Sequence, residues 1–287
     1  MKVTLFTLLA LLAFAGNSIL CRLALGGNTI DAASFTSIRL LSGILVLGVI
    51  LKIIQPKGPV TSKGSWKASF MLFIYAVTFS YAYISLDTGV GALILFASVQ
   101  ITMIMVGLYL GNKLHFAEWF GVIVSFLGFV YLIFPALTTP SLVGFILMSI
   151  AGIAWGFYTL AGKNSKRPLS DTTYNFMRTV PLVIVLMAMT IQNITLSPQG
   201  IVLAILSGGI TSGIGYTLWY MALGGLTAVQ AAVVQLLVPV VAALGGVLFA
   251  DEYLTARLVL SSTIILGGIL IVIIGKNYYG HSSPIKK

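Results

Sequence analysis

The sequence contains few charged residues: they make up 8% of its 287 positions, against about 25% in an ordinary soluble domain. Apolar residues account for 59%, and the mean hydropathy is +1.07. Such a chain has too little polar surface to cover a water-exposed globule, which excludes a soluble enzyme, a nucleic-acid-binding protein and a disordered chain. The net charge of +10 comes from 16 lysines and arginines, and we expect these residues to orient the chain in a bilayer.

The sequence also lacks the residue clusters that catalysis and metal binding require. Its single cysteine, Cys21, excludes disulfides and cysteine-based zinc sites, and its two histidines are expected in a loop and in the C-terminal tail. No phosphate-binding loop, nucleophile elbow or dinucleotide fingerprint occurs. We therefore predict that the protein is not an enzyme, holds no metal and uses no cofactor.

Long apolar runs fill most of the sequence. A helix needs about 20 apolar residues to cross the hydrocarbon layer of a membrane. The runs of this length are Val3–Leu25, Ala33–Ile53, Ala68–Leu86, Val90–Leu110, Phe116–Phe134, Leu142–Ala161, Thr173–Ile191, Gly200–Leu223, Ala228–Ala250 and Leu258–Gly275. They predict an all-α integral membrane protein with ten transmembrane helices that are joined by short loops.

The basic residues of these loops predict how the chain lies in the membrane. Most of them fall on the side of the two termini, whereas Arg22 and Arg257 are expected on the other side. Because basic loops stay in the cytoplasm, we expect a multi-pass inner-membrane protein with both termini cytoplasmic. The first run resembles a cleavable signal up to Ala13-Phe14-Ala15, but it continues to Leu25, which favours a retained span.

The two halves of the sequence are related by a recurrent offset of 140 residues. Gly16 matches Gly156, Asp31 matches Asp171, and each half holds five predicted spans. Since five is an odd number, the second half must enter the membrane from the opposite side. We therefore predict two inverted five-helix repeats, residues 1–137 and 138–287, an architecture that is typical of transporters.

A motif near the end of the second half runs from Pro239 through small residues to Asp251-Glu252-Tyr253-Leu254, before the last span. It resembles the motif near the end of each repeat in the EamA family of the drug/metabolite transporter superfamily, with Asp251 where that family usually has glycine. Ala154-Trp155-Gly156 and Arg39 resemble further features of the family. The resemblance covers the whole chain and implies ten helices and transport of small metabolites, often outward.

Aromatic and polar side chains recur at helical spacing inside several predicted spans. A polar group in the middle of a membrane must bond to a neighbouring helix or face a cavity, because leaving it in lipid costs a few kcal/mol. We therefore predict a cavity between the spans; the alternative is hydrogen bonding between helices without a ligand. The candidate substrate-binding residues are Asn17, Tyr75, Phe79, Tyr83, Ser98, Gln100, Trp155, Tyr158, Tyr216, Trp219 and Gln235.

Two arginines, Arg39 and Arg178, fall inside predicted spans, each about 9 Å deep at a rise of 1.5 Å per residue. We predict a gating or anion-pairing role for both. The alternatives are snorkelling to the membrane surface and pairing with Asp31 and Asp171. Pro239 frees a backbone carbonyl in its helix, which predicts either a hinge or a simple kink.

The resemblance, the aromatic faces and the in-span arginines lead us to predict a secondary transporter that exports amino acids or similar small polar metabolites by alternating access. No carboxylate falls in the middle of a predicted span, which favours a uniporter or an exchanger. An uptake carrier or a drug or organic-cation efflux carrier is the alternative, and a membrane interaction protein is the alternative without transport. The expected partners are a small-molecule substrate and membrane lipid, not nucleic acid.

Overall fold

The computed structural model of the chain describes residues 2–54, 63–109, 116–133, 141–162, 165–226, 231 and 234–280. Within these residues the chain is helical, apart from loops and an isolated antiparallel bridge between Ile30 and Leu196. The helices are α1 Lys2–Gly26, α2 Ala32–Ile54, α3 Trp66–Ala82, α4 Thr88–Tyr109, α5 Phe116–Ile133, α6 Leu142–Gly162, α7 Pro168–Met177, α8 Val180–Thr190, α9 Pro198–Leu206, α10 Gly215–Leu223, α11 Leu237–Phe249 and α12 Ala256–Gly280. A π-helix, Ser207–Ile214, joins α9 to α10.

Each predicted span overlaps one helix or one run of consecutive helices, which we number as units 1 to 10. Units 1 to 6 are α1 to α6, unit 7 is α7 with α8, unit 8 is α9 with the π-helix and α10, and units 9 and 10 are α11 and α12. In the described part of the chain, the helices long and apolar enough to cross a membrane number six, namely Lys2–Gly26, Ala32–Ile54, Thr88–Tyr109, Leu142–Gly162, Pro168–Asn193 and Pro198–Leu223. The predicted boundary between the repeats, at 137/138, lies outside the described residues.

Unit 7 is longer than predicted and is interrupted. It begins at Pro168 because proline fits the first helical position, where no backbone N–H is needed. The helix breaks at Arg178 and Thr179, since Pro181 cannot donate the bond to the carbonyl four residues earlier. The Thr179 hydroxyl donates to the Phe176 carbonyl at 2.7 Å and satisfies that group at the break. The predicted start at residue 173 was therefore wrong by one turn.

The π-helix of unit 8 crosses α2 at very short range. A Cβ atom at Gly208 would overlap the Arg39 carbonyl and the Ser42 hydroxyl, and one at Gly43 would lie 3.2 Å from the Gly208 carbonyl oxygen. The two backbones approach this closely only because small residues lie at the crossing. The crossing brings the polar side chains of unit 8 next to α2.

The units pack in a regular pattern. In the described residues, α3 and α4 pack against α6, α1 packs against units 8 and 9, α2 packs against units 7 and 8, and α5 packs against α12. Buried aromatic side chains of α1, α3, α6 and unit 8 meet in the middle of this bundle. This arrangement positions the candidate site.

Candidate functional site

A buried hydrogen-bonded cluster lies where α1, α2, α3 and unit 8 meet. We call it the central polar cluster, and its members are Asn17, Arg39, Tyr75, Ser207, Thr211, Ser212 and Tyr216. Arg39 is 1% exposed. Its Nε donates to Ser212 Oγ at 3.0 Å, and its Nη2 donates to the hydroxyls of Tyr75 at 3.1 Å and Tyr216 at 2.8 Å. The guanidinium therefore links α2 to both α3 and unit 8.

Asn17 ties α1 into the same cluster. Its amide nitrogen donates to the Tyr75 hydroxyl at 3.2 Å, and its amide oxygen accepts from Ser207 Oγ at 2.7 Å and Thr211 Oγ1 at 3.2 Å. The Tyr216 hydroxyl donates to the Tyr75 hydroxyl at 3.0 Å. The cluster thus joins side chains that are far apart in the sequence.

The electrostatics of the cluster are dominated by Arg39. Among the described residues no carboxylate pairs with Arg39, whose hydrogen bonds are all to neutral side chains. Its Cζ lies 5.2 Å from the Tyr75 ring centroid and 5.0 Å from that of Phe79, and its Nη1 is buried without a partner in the described protein. A buried charge with an open donor is costly unless an acceptor arrives. The site can therefore bind a planar oxyanion such as a carboxylate.

Aromatic rings enclose the cluster. The Trp155 ring centroid lies 4.5 Å from that of Tyr216 and 4.9 Å from that of Tyr75, and Tyr158 and Trp219 pack in the same group. Phe14, which was not predicted, contacts Trp219 edge to face at 5.6 Å. We expected these residues to line an open cavity, but their rings contact one another. The centre of the bundle is therefore closed around Arg39.

The buried donors in this group are not all satisfied. The indole N–H groups of Trp155 and Trp219 have no partner in the described protein. Most buried polar groups in native proteins have a hydrogen-bond partner, so these donors stand out from the rest of the bundle. With Arg39 Nη1, they supply several donors to a molecule that enters the centre.

The remaining predicted residues lie around this centre. They are Tyr83, Ser98, Gln100 and Gln235, and all four are buried. The Tyr83 ring packs edge to face on Phe79 at 4.8 Å, and Ser98 lies on the face of α4 that packs against α6. The Gln235 amide nitrogen donates to the carbonyl four residues earlier at 3.0 Å, while its amide oxygen has no partner in the described protein. The structure thus groups most, but not all, of the predicted residues.

Arg178 and Pro239 lie outside the central polar cluster. Arg178 is half-buried, donates to the Lys63 carbonyl and lies over the Trp66 ring at 5.8 Å. Its environment is therefore unlike that of Arg39, which is fully enclosed and does not snorkel. Pro239 is the third residue of α11, whose start follows a turn at residue 236. The proline thus lies next to this turn, and its role as a hinge or a simple kink stays a prediction.

A second polar group, which we call the Arg22 charge cluster, lies at one end of the bundle. Arg22 Nε donates to Glu252 Oε1 at 3.1 Å, and Arg22 Nη2 donates to Asp87 Oδ1 at 3.2 Å. The Glu252 carboxylate also accepts from the Thr88 backbone N–H at 2.8 Å and from its hydroxyl at 3.0 Å, which caps the start of α4. These contacts fasten α1, α4 and the loop before α12 to one another.

A polar cleft of about 400 Å³ lies at the opposite end. Its lining comprises Gly64, Ser65, Ala68, Ala161, Gly162, Ser165, Lys166, Asp171, Asn175 and Tyr220. Tyr220 donates its hydroxyl to the Tyr158 carbonyl at 3.0 Å, and the two rings stack at 5.5 Å. This tyrosine pair lies between the cleft and the central polar cluster.

Sequence reasoning missed several of these residues. Ser207 and Thr211 lie four residues apart in a glycine-rich stretch, a spacing that could have placed them on one face. Arg22 was interpreted only as a loop charge, and Glu252 only as part of a motif. Their contact joins residues 230 positions apart, and nothing in the sequence alone predicts it.

Asp251 stands where the EamA motif usually has glycine, and its backbone conformation shows how the motif accommodates it. It adopts φ of +52°, a left-handed conformation that favours glycine, which is the residue that the resembling motif has there. The turn places Glu252 next to Arg22, so the backbone geometry of the motif is kept without its glycine.

Comparisons with known proteins identify the family of the chain. The sequence profile of the EamA-like transporter family matches residues 142–274. An uncharacterized protein of Pseudomonas aeruginosa is 44% identical over 95% of this chain and 94% of its own length. A probable amino-acid metabolite efflux pump of Escherichia coli is 22% identical over 81% of this chain and 83% of its own length. A crystal structure shares the fold with a TM-score of 0.65 at 15% identity, over 93% of this chain and 97% of the other. The chain belongs to the EamA-like transporter family, so it is a multi-pass membrane transporter of a small-molecule substrate and not an enzyme.

Proposed function

We propose that this transporter exports amino acids or similar small polar metabolites across the inner membrane by alternating access around the central polar cluster. The observation that carries the proposal is Arg39, a buried guanidinium with an open donor in a cluster that joins α1, α2, α3 and unit 8. Two relatives named as probable amino-acid metabolite efflux pumps, from Escherichia coli and Salmonella typhimurium, support the substrate class and the outward direction.

The proposed architecture is ten spans in two inverted repeats, residues 1–137 and 138–287. The packing pattern supports it. When five is added to each unit number, counting on from unit 10 to unit 1, the contact of unit 3 with unit 6 becomes the contact of unit 8 with unit 1. The same shift turns unit 4 with unit 6 into unit 9 with unit 1, and leaves the pair of units 5 and 10 unchanged. A two-fold relation between the halves accounts for this exchange of partners.

Two aspartates at equivalent positions of the proposed repeats support the same relation. The Asp31 carboxylate accepts from the Thr195 N–H at 2.9 Å, in the loop between units 7 and 8. The Asp171 carboxylate accepts from the Gly64 N–H at 2.8 Å, in the loop between units 2 and 3. Each aspartate therefore fastens a loop of the other half. With both termini cytoplasmic, as the basic loops favour, Asp31 lies at the outer face and Asp171 at the inner face.

The same orientation puts the Arg22 charge cluster at the outer face and the polar cleft at the inner face. The outer end is then held closed by ionic contacts, while a cleft at the inner end leads to the tyrosine pair above the centre. An alternating-access carrier visits such a state whichever way it moves its substrate. The outward direction of the proposal therefore rests on the relatives named as efflux pumps.

The predicted residues take the following roles in the proposal. Asn17, Tyr75 and Tyr216 orient the substrate with Arg39, and the rings of Phe79, Tyr83, Trp155, Tyr158 and Trp219 line the space that opens. Ser98, Gln100 and Gln235 contribute when units 4 and 9 move, and Pro239 is the hinge in unit 9. Arg178 steadies the inner gate through Lys63 and Trp66.

Counterflow in proteoliposomes tests this function. Liposomes that contain the purified protein and an excess of unlabelled amino acid should accumulate the labelled amino acid from outside, whereas protein-free liposomes should not. Arg39→Ala and Arg178→Ala should each lower the rate well beyond any loss of protein from the membrane. No uptake of any amino acid or small polar metabolite by the wild-type protein would refute the proposal, and unchanged rates in both variants would remove the two arginines from it.

A further inference from the structure

We propose that Arg39 restricts the substrate to molecules with a carboxylate and makes the carrier an exchanger, in which the loaded site reorients much faster than the empty one. This inference rests on the proposed function, because it needs a substrate that binds at the central polar cluster. It names the feature that a substrate must have and the way in which the transport cycle is coupled.

The charge of the site carries the first step. Arg39 is enclosed by hydroxyl and aromatic groups, and among the described residues no acid neutralises it. A carboxylate offers two oxygens in the plane and at the spacing of two guanidinium donors, whereas an organic cation would be repelled. The open Nη1 gives the carboxylate a first contact without displacing any protein group. The substrate therefore supplies the counter-charge that the protein lacks.

The second step follows from the partners of Nη2. This nitrogen donates to Tyr75 in α3 and to Tyr216 in unit 8, and the two hydroxyls lie 3.0 Å apart. Units 3 and 8 belong to different proposed repeats, so the three side chains form a link between the halves. A carboxylate that bridges Nη1 and Nη2 takes the place of a tyrosine hydroxyl on Nη2. Substrate binding thus weakens the link, while an empty site keeps it.

The exchange mode is the consequence. A ligand changes the balance between two conformations only by as much as its free energy of binding differs between them. In this protein, the substrate breaks a hydrogen bond that holds the two halves together. The empty carrier must break the Tyr75–Arg39–Tyr216 link and leave a buried charge without its partners as it reorients. The return step of the cycle should therefore be slow unless a second carboxylate occupies the site.

Two transport measurements in proteoliposomes test the wild-type protein. The first compares labelled leucine, threonine and phenylalanine with their amides, which lack the carboxylate but keep the side chain and the amine. Each amide should move at least about tenfold more slowly, the factor that corresponds to about 1.4 kcal/mol. The second follows efflux of the labelled amino acid, which should be at least about tenfold faster into buffer with unlabelled amino acid than into buffer without it.

Three variants separate the link from the charge. Tyr75→Phe keeps the ring but removes the hydroxyl, so the stimulation by external amino acid should fall to about twofold while the preference over amides remains. Thr78→Ala, in the same helix, removes a hydroxyl whose one bond within the described residues is to the Ile74 carbonyl at 2.8 Å, and it should change neither quantity. Arg39→Gln should remove the preference over amides.

The outcomes distinguish the inference from the function on which it rests. If organic cations move and amino acids do not, both the proposed function and the inference fail. If amino acids and their amides move at equal rates, only the carboxylate requirement fails. Efflux that does not respond to external amino acid overturns the exchange mode, as does a Tyr75→Phe protein with undiminished stimulation.

Discussion

Replacing Glu252 by glutamine should open the end of the transporter that we propose to be the outer one. The side chain is 10% exposed, and its carboxylate accepts from Arg22 Nε and from the backbone and hydroxyl of Thr88. Glutamine keeps the shape but removes the charge and one acceptor oxygen. Hydrogen bonds to a charged group contribute about 1.5–3 kcal/mol each, so we expect the closed state to lose about 2 kcal/mol, or about 30-fold in population.

The native cysteine reports this change. Cys21 is the single cysteine of the chain, it is fully buried, and it precedes Arg22 in α1. A membrane-impermeant thiol reagent added from outside should modify Cys21 slowly in the wild-type protein. In Glu252→Gln, modification should be about tenfold to 30-fold faster, because opening of this end lets water and reagent reach that part of α1.

Asp87→Asn is the matched control. Asp87 also contacts Arg22, but its side chain is 47% exposed, and exposed ion pairs contribute at most about 1 kcal/mol. We therefore expect Asp87→Asn to raise the rate of Cys21 modification only about twofold. Equal acceleration by the two variants, or none in Glu252→Gln, would refute the assignment of Glu252 as the main contact of this gate.

Three further predictions concern the fold and the opposite gate. Asp251→Gly should raise stability in a thermal unfolding assay by up to about 1 kcal/mol, because glycine relieves the left-handed backbone; lower stability would contradict this. Gly208→Ala should abolish the peak of folded protein in size-exclusion chromatography, because the added Cβ overlaps the Arg39 carbonyl. Gly48→Ala is the control and should be tolerated, because open space surrounds that position. Equal yields of the two variants would contradict the close crossing. Arg178→Ala should lower transport about twofold to fivefold, as expected for a half-buried cation–π contact of about 0.5–1 kcal/mol; a loss as large as that of an Arg39 variant would contradict it.

The helices were largely predictable from the sequence, because long apolar runs have few alternatives in a membrane. The predicted starts and ends of α1, α2 and α6 agree with the structure within one or two residues. The break in unit 7 was not predicted, although Pro181 marks its place, because a proline inside an apolar run can also bend a helix without interrupting it. The π-helix was also missed, although its glycines mark the place where α2 approaches.

The residues of the candidate site were predictable where a polar side chain lies inside an apolar run of the sequence. Arg39, Asn17 and Tyr75 stand out because a polar group inside an apolar run needs an explanation. Ser207 and Thr211 do not stand out, because hydroxyls in membrane helices often bond to their own backbone, as Thr211 does to the Ser207 carbonyl at 2.9 Å. Which polar residues meet depends on how the helices pack, and periodicity within one helix does not contain that information.

The central claim is that a substrate carboxylate binds Arg39 in the middle of the bundle, and a structure of the protein with a bound amino acid tests it most directly. We predict that the carboxylate lies within hydrogen-bond distance of Arg39 Nη1, with the Tyr75 or Tyr216 hydroxyl displaced from Nη2. An amino acid bound only in the polar cleft next to Tyr220, with the Arg39 contacts unchanged, would contradict the account.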